Sequence, residues 1–173
     1  MDKYRVEKSE AVVSVQEFLS ACVDVPKFSK CCEQCRNYSS CWSCPPYDFD
    51  PMEIWQSYKT LKISARFLVP ENCTANELLD GLKQEKEKFL QELLSLEEDG
   101  AMVLSCGSCE VCSVCARTQG EKCRHPEQCR YSIESLGGDV GMTAEKYFGR
   151  PLLWMKGDNL PDYMTLIGGI LYK

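Results

Sequence analysis

Thirteen cysteines stand against one histidine in this 173-residue chain, and they are gathered rather than scattered. Cys31, Cys32, Cys35, Cys41 and Cys44 form one group, within segment 31–46. Cys106, Cys109, Cys112, Cys115, Cys123 and Cys129 form the other, within segment 106–129, and only Cys22 and Cys73 lie outside both. A fold with this pattern must bring loops of closely spaced thiols to shared centres, oxidise them to disulfides, or bury them singly. The chain is long enough to bury a core without covalent staples. Its first residues, Met1 to Lys8, lack the apolar run and small-residue cleavage site of a secretory signal. The expectation is a reducing, cytoplasmic setting, where grouped thiols bind metal more readily than they form disulfides.

Charge narrows the partners. Lys and Arg number 20 against 26 Asp and Glu, a net charge of −6. A nucleic-acid surface needs a basic face to displace counterions, so none is expected. No apolar run approaches the roughly 18 residues of a membrane-spanning helix. An acidic surface suits a protein partner with a basic face.

The roughly 60 residues between the cysteine groups read as ordinary folded sequence, as do the flanks. Ser14-Val15-Gln16-Glu17 is a capping box before a short helix carrying Phe18, Leu19 and Cys22. Asp50-Pro51-Met52-Glu53 opens another helix, with Asp as cap and Pro in the first position. Ile63, Ala65, Phe67 and Val69 alternate with Lys62, Ser64, Arg66 and Leu68, which predicts a strand with one mostly apolar face. Thr74-Ala75-Asn76-Glu77 is a third box. The helix behind it buries Leu78, Leu79, Leu82, Phe89, Leu90, Leu93 and Leu94 and turns Lys83, Glu85, Lys88 and Glu92 to water. Gly100 ends that stretch, and Ala101 to Leu104 reads as a buried strand that hands the chain to Cys106. Further on, Pro126 predicts a helix ending at Gly137-Gly138, and Thr143 caps one ending at Gly149. Leu152 to Met155 and Tyr163 to Leu171 read as strands joined by a turn. The sum is one α+β domain over residues 1–173: a small mixed β-sheet, flanking helices and two Cys-rich metal-binding loops.

Cys106-x2-Cys109-x2-Cys112-x2-Cys115 is the most informative run. Two-residue spacing lets successive thiolates curl about one centre. Three such Cys, with a fourth from further along, is the bacterial ferredoxin arrangement for a 4Fe–4S cluster. Four in a row do not all wrap one cubane, so one is spare. Either Cys109, Cys112 and Cys115 join Cys123, or Cys106, Cys109 and Cys112 join a remote Cys. The first is preferred, because Pro126 follows Cys123 closely. The other group, Cys31-Cys32-x2-Cys35-x5-Cys41-x2-Cys44-Pro45-Pro46, offers Cys32, Cys35, Cys41 and Cys44 for a second cluster. Its paired Cys-x2-Cys form also suits structural zinc. Cys31, Cys106 and Cys129 remain as alternate ligands.

Other residues have plainer readings. His125 reads as an exposed loop histidine, and Cys22 as a small buried hydrophobe. Cys73 has no partner to make it a nucleophile. Trp42 is placed to shield the first group, while Trp55 and Trp154 read as core. Neither Gly137-Gly138 nor Gly168-Gly169 has the context of a phosphate loop. Glu97-Glu98-Asp99 reads as a solvated helix end.

Cys35-x2-Tyr38, Cys44-Pro45-Pro46, Gly107-Ser108-Cys109-x2-Cys112-x2-Cys115, Cys123-Arg124-His125-Pro126 and Ser132-x-Glu134-x2-Gly137 together carry a resemblance. From about Val12 to the end, the chain resembles the family of predicted metal-binding proteins classed as domain of unknown function 2284, associated with anaerobic bacteria and archaea. The resemblance implies metal binding, of the iron–sulfur kind, in low-oxygen metabolism, and implies no particular reaction. The extra thiols Cys31, Cys41, Cys106 and Cys129 depart from the family pattern and leave each ligand set open.

Three functions follow as expectations. The first is a cytoplasmic protein holding one or two 4Fe–4S clusters and passing single electrons to a redox or accessory partner. The second is a zinc-stabilised protein-interaction module. The third is an enzyme using an open-site metal as a Lewis acid, which is least favoured because no general base is evident and the lone His is a poor foundation for one.

Overall fold

Strand β1 (Tyr4–Ser14) runs antiparallel to β2 (Thr60–Pro70) along its whole length, with Tyr4 opposite Pro70 and Ser14 opposite Thr60. The computed structural model describes residues 2–173. In it β2 also pairs with β4 (Met164–Tyr172), and β4 pairs with the short β3 (Met102–Leu104), giving the order β1-β2-β4-β3. All these pairings are antiparallel. The α+β architecture is therefore built on an antiparallel sheet, with a single parallel bridge, Ser105 to Ser132, outside the named strands. β1 carries no apolar alternation that would announce it. As an edge strand it keeps none of its residues fully buried, so charged residues are tolerated along it.

The helices start where side chains can satisfy their free amides. Ser14 caps α1 (Val15–Cys22) by accepting from the Glu17 amide at 3.1 Å. Asp24 caps α2 (Val25–Glu33), a helix beyond those expected from the sequence, and α2 delivers Cys31 and Cys32. Asp50 caps α3 (Pro51–Gln56). Thr74 and Glu77 form the complete capping box of α4 (Ala75–Ser95). The cap of α5 (Val140–Phe148) is Asp139 rather than Thr143, which lies inside the helix, and Gly149 ends it as expected. Two predicted elements are absent. After Pro126 only a 3-10 turn, Glu134–Leu136, forms before Gly137, and Leu152 to Met155 is irregular rather than a strand. Gly137 has φ 85°, and a Cβ there would meet Val25 at 2.7 Å, so glycine is required for both conformation and fit.

Helices cover both faces of the sheet. Leu61, Ile63, Ala65 and Phe67 of β2 pack with α1, α3 and α5, around Phe18, Trp55 and Ala144. Trp55 is fully buried and donates its indole N–H to the Leu136 carbonyl at 3.0 Å. On the opposite face Leu68, Val103, Leu166 and Ile170 meet Leu78, Phe89 and Leu93 of α4. Each large side chain so buried contributes about 1.5–3 kcal/mol. This second layer covers the face of β2 that carries Ser64, Arg66 and Leu68. Arg66 is 3% exposed beneath α4 and pairs with Glu85 and Glu92, so Glu85 does not face water. A charge on a covered face must find its counter-charge inside. Leu79, predicted buried, is 45% exposed.

Candidate metal centre

The end of β3 sets the first branch point. The Ser105 amide bonds the Tyr131 carbonyl at 2.7 Å, and the next residue, Cys106, turns under α4 into the core with Leu93 and Leu166. The close approach here is possible because Gly168 has no side chain: a Cβ would stand 2.6 Å from the Leu104 carbonyl oxygen and 3.6 Å from Cys106 Sγ. Burial pushes the Cys106 thiol up, to the protonated side. It does not line the cavity that the other cysteines of its segment share.

Those others border a common space. Cys109, Cys112, Cys115, Cys123 and Cys129 line one small cavity of about 20 Å³, and Cys41 joins them from the first segment, with His125 and Trp42 on the rim. The room is that of a water-sized sphere. Cys41 thus faces the second group, and Cys129 stands beside Cys109. Cys31 and Cys35 are exposed, and Cys32 is half-buried. Burial, then the charges of Cys35 and Cys31, push the Cys32 thiol up. Cys22 is buried in the core, as expected.

The two cysteine segments are knit into one locus by contacts that the motifs do not announce. Arg117 donates to the carbonyls of Cys41 at 2.9 Å, Cys44 at 2.5 Å and Pro46 at 2.6 Å. Its guanidinium also lies 4.9 Å from the centre of the Trp42 ring. Trp42 donates to the Glu121 carbonyl at 2.9 Å. The fully buried Ser43 accepts from the Cys109 amide at 2.9 Å, and Asn37 donates to Ser108 at 3.1 Å. Lys86 of α4 holds the same loop through the Ser108 carbonyl at 2.9 Å and Glu110 at 3.0 Å. No motif announces Arg117 or Ser43, because the contacts by which each joins the two segments span more than 60 positions. Glu97 is no solvated end: it binds Arg130 through both carboxylate oxygens, at 2.9 and 2.5 Å, and accepts from the Val103 amide at 2.7 Å.

Electrostatics separate the thiols into givers and keepers of protons. The hydrogen bond with Cys44, then Ser43, holds the Cys41 thiol below its ordinary range against the opposing effect of burial, while Cys44 is driven up by the same contact and by burial. Cys109 is lowered chiefly by its hydrogen bond with Cys129, which is raised in turn. Each pair can thus present one thiolate, the form that ligates metal. Soft donors facing one space suit zinc or an iron–sulfur cluster in kind. In arrangement the site is open: among the described residues no three His, Cys, Asp or Glu side chains stand together closely enough to hold an ion. The segment from Gly107 to Cys115 has bends but neither helix nor strand, so its thiols can close on a centre without breaking regular structure.

Fold and site together define a cysteine-rich α+β protein in which two thiol-bearing segments meet at one end of an antiparallel sheet. A family model described as predicted metal-binding protein, DUF2284, matches residues 20–172, and the chain belongs to that family. No curated protein and no solved structure matches it. Among the described residues no helix is long and apolar enough to cross a membrane.

Proposed function

We propose that this member of the family holds a 4Fe–4S cluster at Cys109, Cys112, Cys115 and Cys123 and serves as a one-electron carrier in the cytoplasm of a cell living with little oxygen. The observation that carries the reading is that these four thiols border a single cavity whose other sulfur donors, Cys41 and Cys129, come from the same two segments. A second cluster would draw on Cys32, Cys35, Cys41 and Cys44, in competition with the first for Cys41. Such a cluster supplies single-electron redox chemistry when bound. The chain's own part is to tune and shield. Arg117 fixes the backbone of the first segment against the second, Trp42 covers the rim, and Cys41 and Cys109 offer the readiest thiolates. The net charge of −6 suits docking to a redox or accessory protein with a basic face.

One observation favours a second reading. A cavity of about 20 Å³ has the size for a single ion, as in a structural zinc site that stabilises an interaction module.

The test is purification without oxygen, followed by assay of iron, acid-labile sulfide and zinc on the same sample. A brown protein with equal iron and sulfide, bleached by dithionite, supports the carrier. A colourless protein with stoichiometric zinc replaces it with the second reading. Cys112→Ser removes the metal of this centre in either case, whereas Cys22→Ser, in the core, leaves it in place.

A further inference from the structure

Away from the thiol cavity, the sheet runs short of a strand. β3 pairs only with Gly169–Leu171, so over Met164–Gly168 strand β4 has β2 on one side and no strand on the other. The gap is not filled by packing. It opens as a cleft of about 500 Å³, within the size range of small-molecule sites. Its walls are mostly apolar, with Phe28, Leu152, Met164 and Leu166 among them, and Trp154, 73% exposed, is also part of its lining.

Two polar atoms in this cleft lack partners. Glu134 Oε2 and Thr165 Oγ1 are both buried and make no hydrogen bond, and both residues line the cleft. Only one other buried side-chain polar atom among the described residues is in that condition, Arg66 Nε. A buried carboxylate oxygen without a donor is unfavourable in a finished core, and its regular explanation is a missing partner. The surrounding charges say which kind. Lys86 is the only Lys or Arg lining the cleft, and its ammonium is already held by the Ser108 carbonyl at 2.9 Å and Glu110 at 3.0 Å. Asp139 is also committed, to the Met142 amide at 2.9 Å and toward Lys27 at 3.9 Å. Burial pushes the Glu134 carboxyl up despite contacts from Ser132 and the Gly107 amide, and Oε2 is left as the acceptor that a cationic donor would complete.

We propose that this cleft is a second, separate binding site, for a small organic amine with an apolar body. The protonated amine donates to Glu134 Oε2, with Thr165 Oγ1 as a second acceptor. The hydrocarbon or aromatic part lies on Leu152, Leu166 and Trp154. The open edge of β4 provides backbone groups for any further polar atom on the ligand. An exposed tryptophan beside an apolar cleft is explained by the same occupant, since its ring both covers an aromatic body and attracts a cation. The site needs no metal and stands whether or not the thiols hold one.

The test uses the full chain and three probes of matched shape, titrated calorimetrically: phenethylamine, 2-phenylethanol and 3-phenylpropionate. Phenethylamine should bind saturably and about tenfold or more tighter than 3-phenylpropionate, as expected for a charged hydrogen bond in a partly desolvated site. Glu134→Gln should erase that preference while leaving 2-phenylethanol unchanged, and Trp154→Ala should weaken all probes that bind. Thr165→Val, a near-isosteric change, should weaken the amine in its own right and serves as the second reading if Glu134→Gln fails to fold. Absence of saturable phenethylamine binding overturns the proposal. So does equal binding of the carboxylate, or an amine affinity that neither Glu134→Gln nor Thr165→Val alters.

Discussion

Arg117 Nη1 donates to the Cys44 carbonyl oxygen at 2.5 Å, across 73 residues of chain. The same guanidinium reaches Cys41 and Pro46, so three carbonyls of the first cysteine segment converge on one side chain of the second. Hydrogen bonds from a charged donor contribute about 1.5–3 kcal/mol each, and they do not add fully when shared. Arg117→Ala is therefore expected to lower stability by at least about 2 kcal/mol and to reduce metal bound per chain, since the two sets of thiols are no longer held face to face. Urea denaturation and metal analysis read the two effects separately. An unchanged urea midpoint would show that Arg117 is a bystander.

Cys106 and Cys112 sit in the same run of four, yet the structure sends them to different places. Cys106 is 8% exposed beneath α4, among Leu93, Leu166 and Ile170, while Cys112 lines the thiol cavity. Cys106→Ala should cost about 1–2 kcal/mol for the lost packing and leave metal content as it was. Cys112→Ser should do the reverse: little change in the stability of the metal-free chain, and loss of metal. If Cys106→Ala alone abolishes metal binding, the assignment of the spare cysteine is wrong.

The parts of the fold that could be read from the sequence are those whose determinants are local. The capping box at Thr74, the cap at Ser14, the alternation through Ile63 and Phe67, and the glycine stop at Gly149 each depend on residues a few positions apart. What escaped depends on neighbours far along the chain. β1 exists because β2 offers it an edge, not because its own residues alternate. The stretch from Leu152 to Met155 is apolar enough for a strand, but no strand edge engages it. Arg66 looks like a solvent residue until α4 is laid over it. The same division runs through the site. The spacing of Cys109, Cys112 and Cys115 is visible in the sequence, whereas the entry of Cys41 into their cavity depends on tertiary contacts made by Ser43 and Arg117.

Glu97 at the end of α4 sets an acid-sensitive contact. Burial pushes its carboxyl up, but Arg130's hydrogen bonds, the Val103 amide and the guanidinium charge more than reverse this, leaving it below the ordinary carboxylate range. A carboxyl lowered by folding stabilises the native state at pH above its unfolded value, and that contribution is lost as pH falls through the folded value. Stability should therefore decline on acidification, beginning near the ordinary value of 4.5. Glu97→Gln should be about 1.5–3 kcal/mol less stable at neutral pH and should show a shallower acid decline. Thermal melts of both proteins across the acid range test this; parallel curves would remove Glu97 from the account.

The pair Arg66–Glu85 offers a sharper test of how the covered face of β2 is held. The side chains are 4% and 9% exposed and lie 3.3 Å apart, with the guanidinium 4.5 Å from the Phe89 ring centre and Lys88 bonding Glu85 from outside at 2.6 Å. Taking two ions out of water costs about as much as their attraction returns, so the pair adds little net stability, but removing one ion strands the other. Arg66→Met alone should destabilise by about 1–3 kcal/mol, because Glu85 is left with Lys88 as its one ion partner and Glu92 loses a contact. Adding Glu85→Leu should recover most of that loss, since an apolar pair of similar volume can continue the packing between Leu68, Leu78 and Phe89. The double-mutant cycle measures the coupling directly. If the double variant is less stable than Arg66→Met, the charges are required for the docking of α4 rather than merely tolerated beneath it.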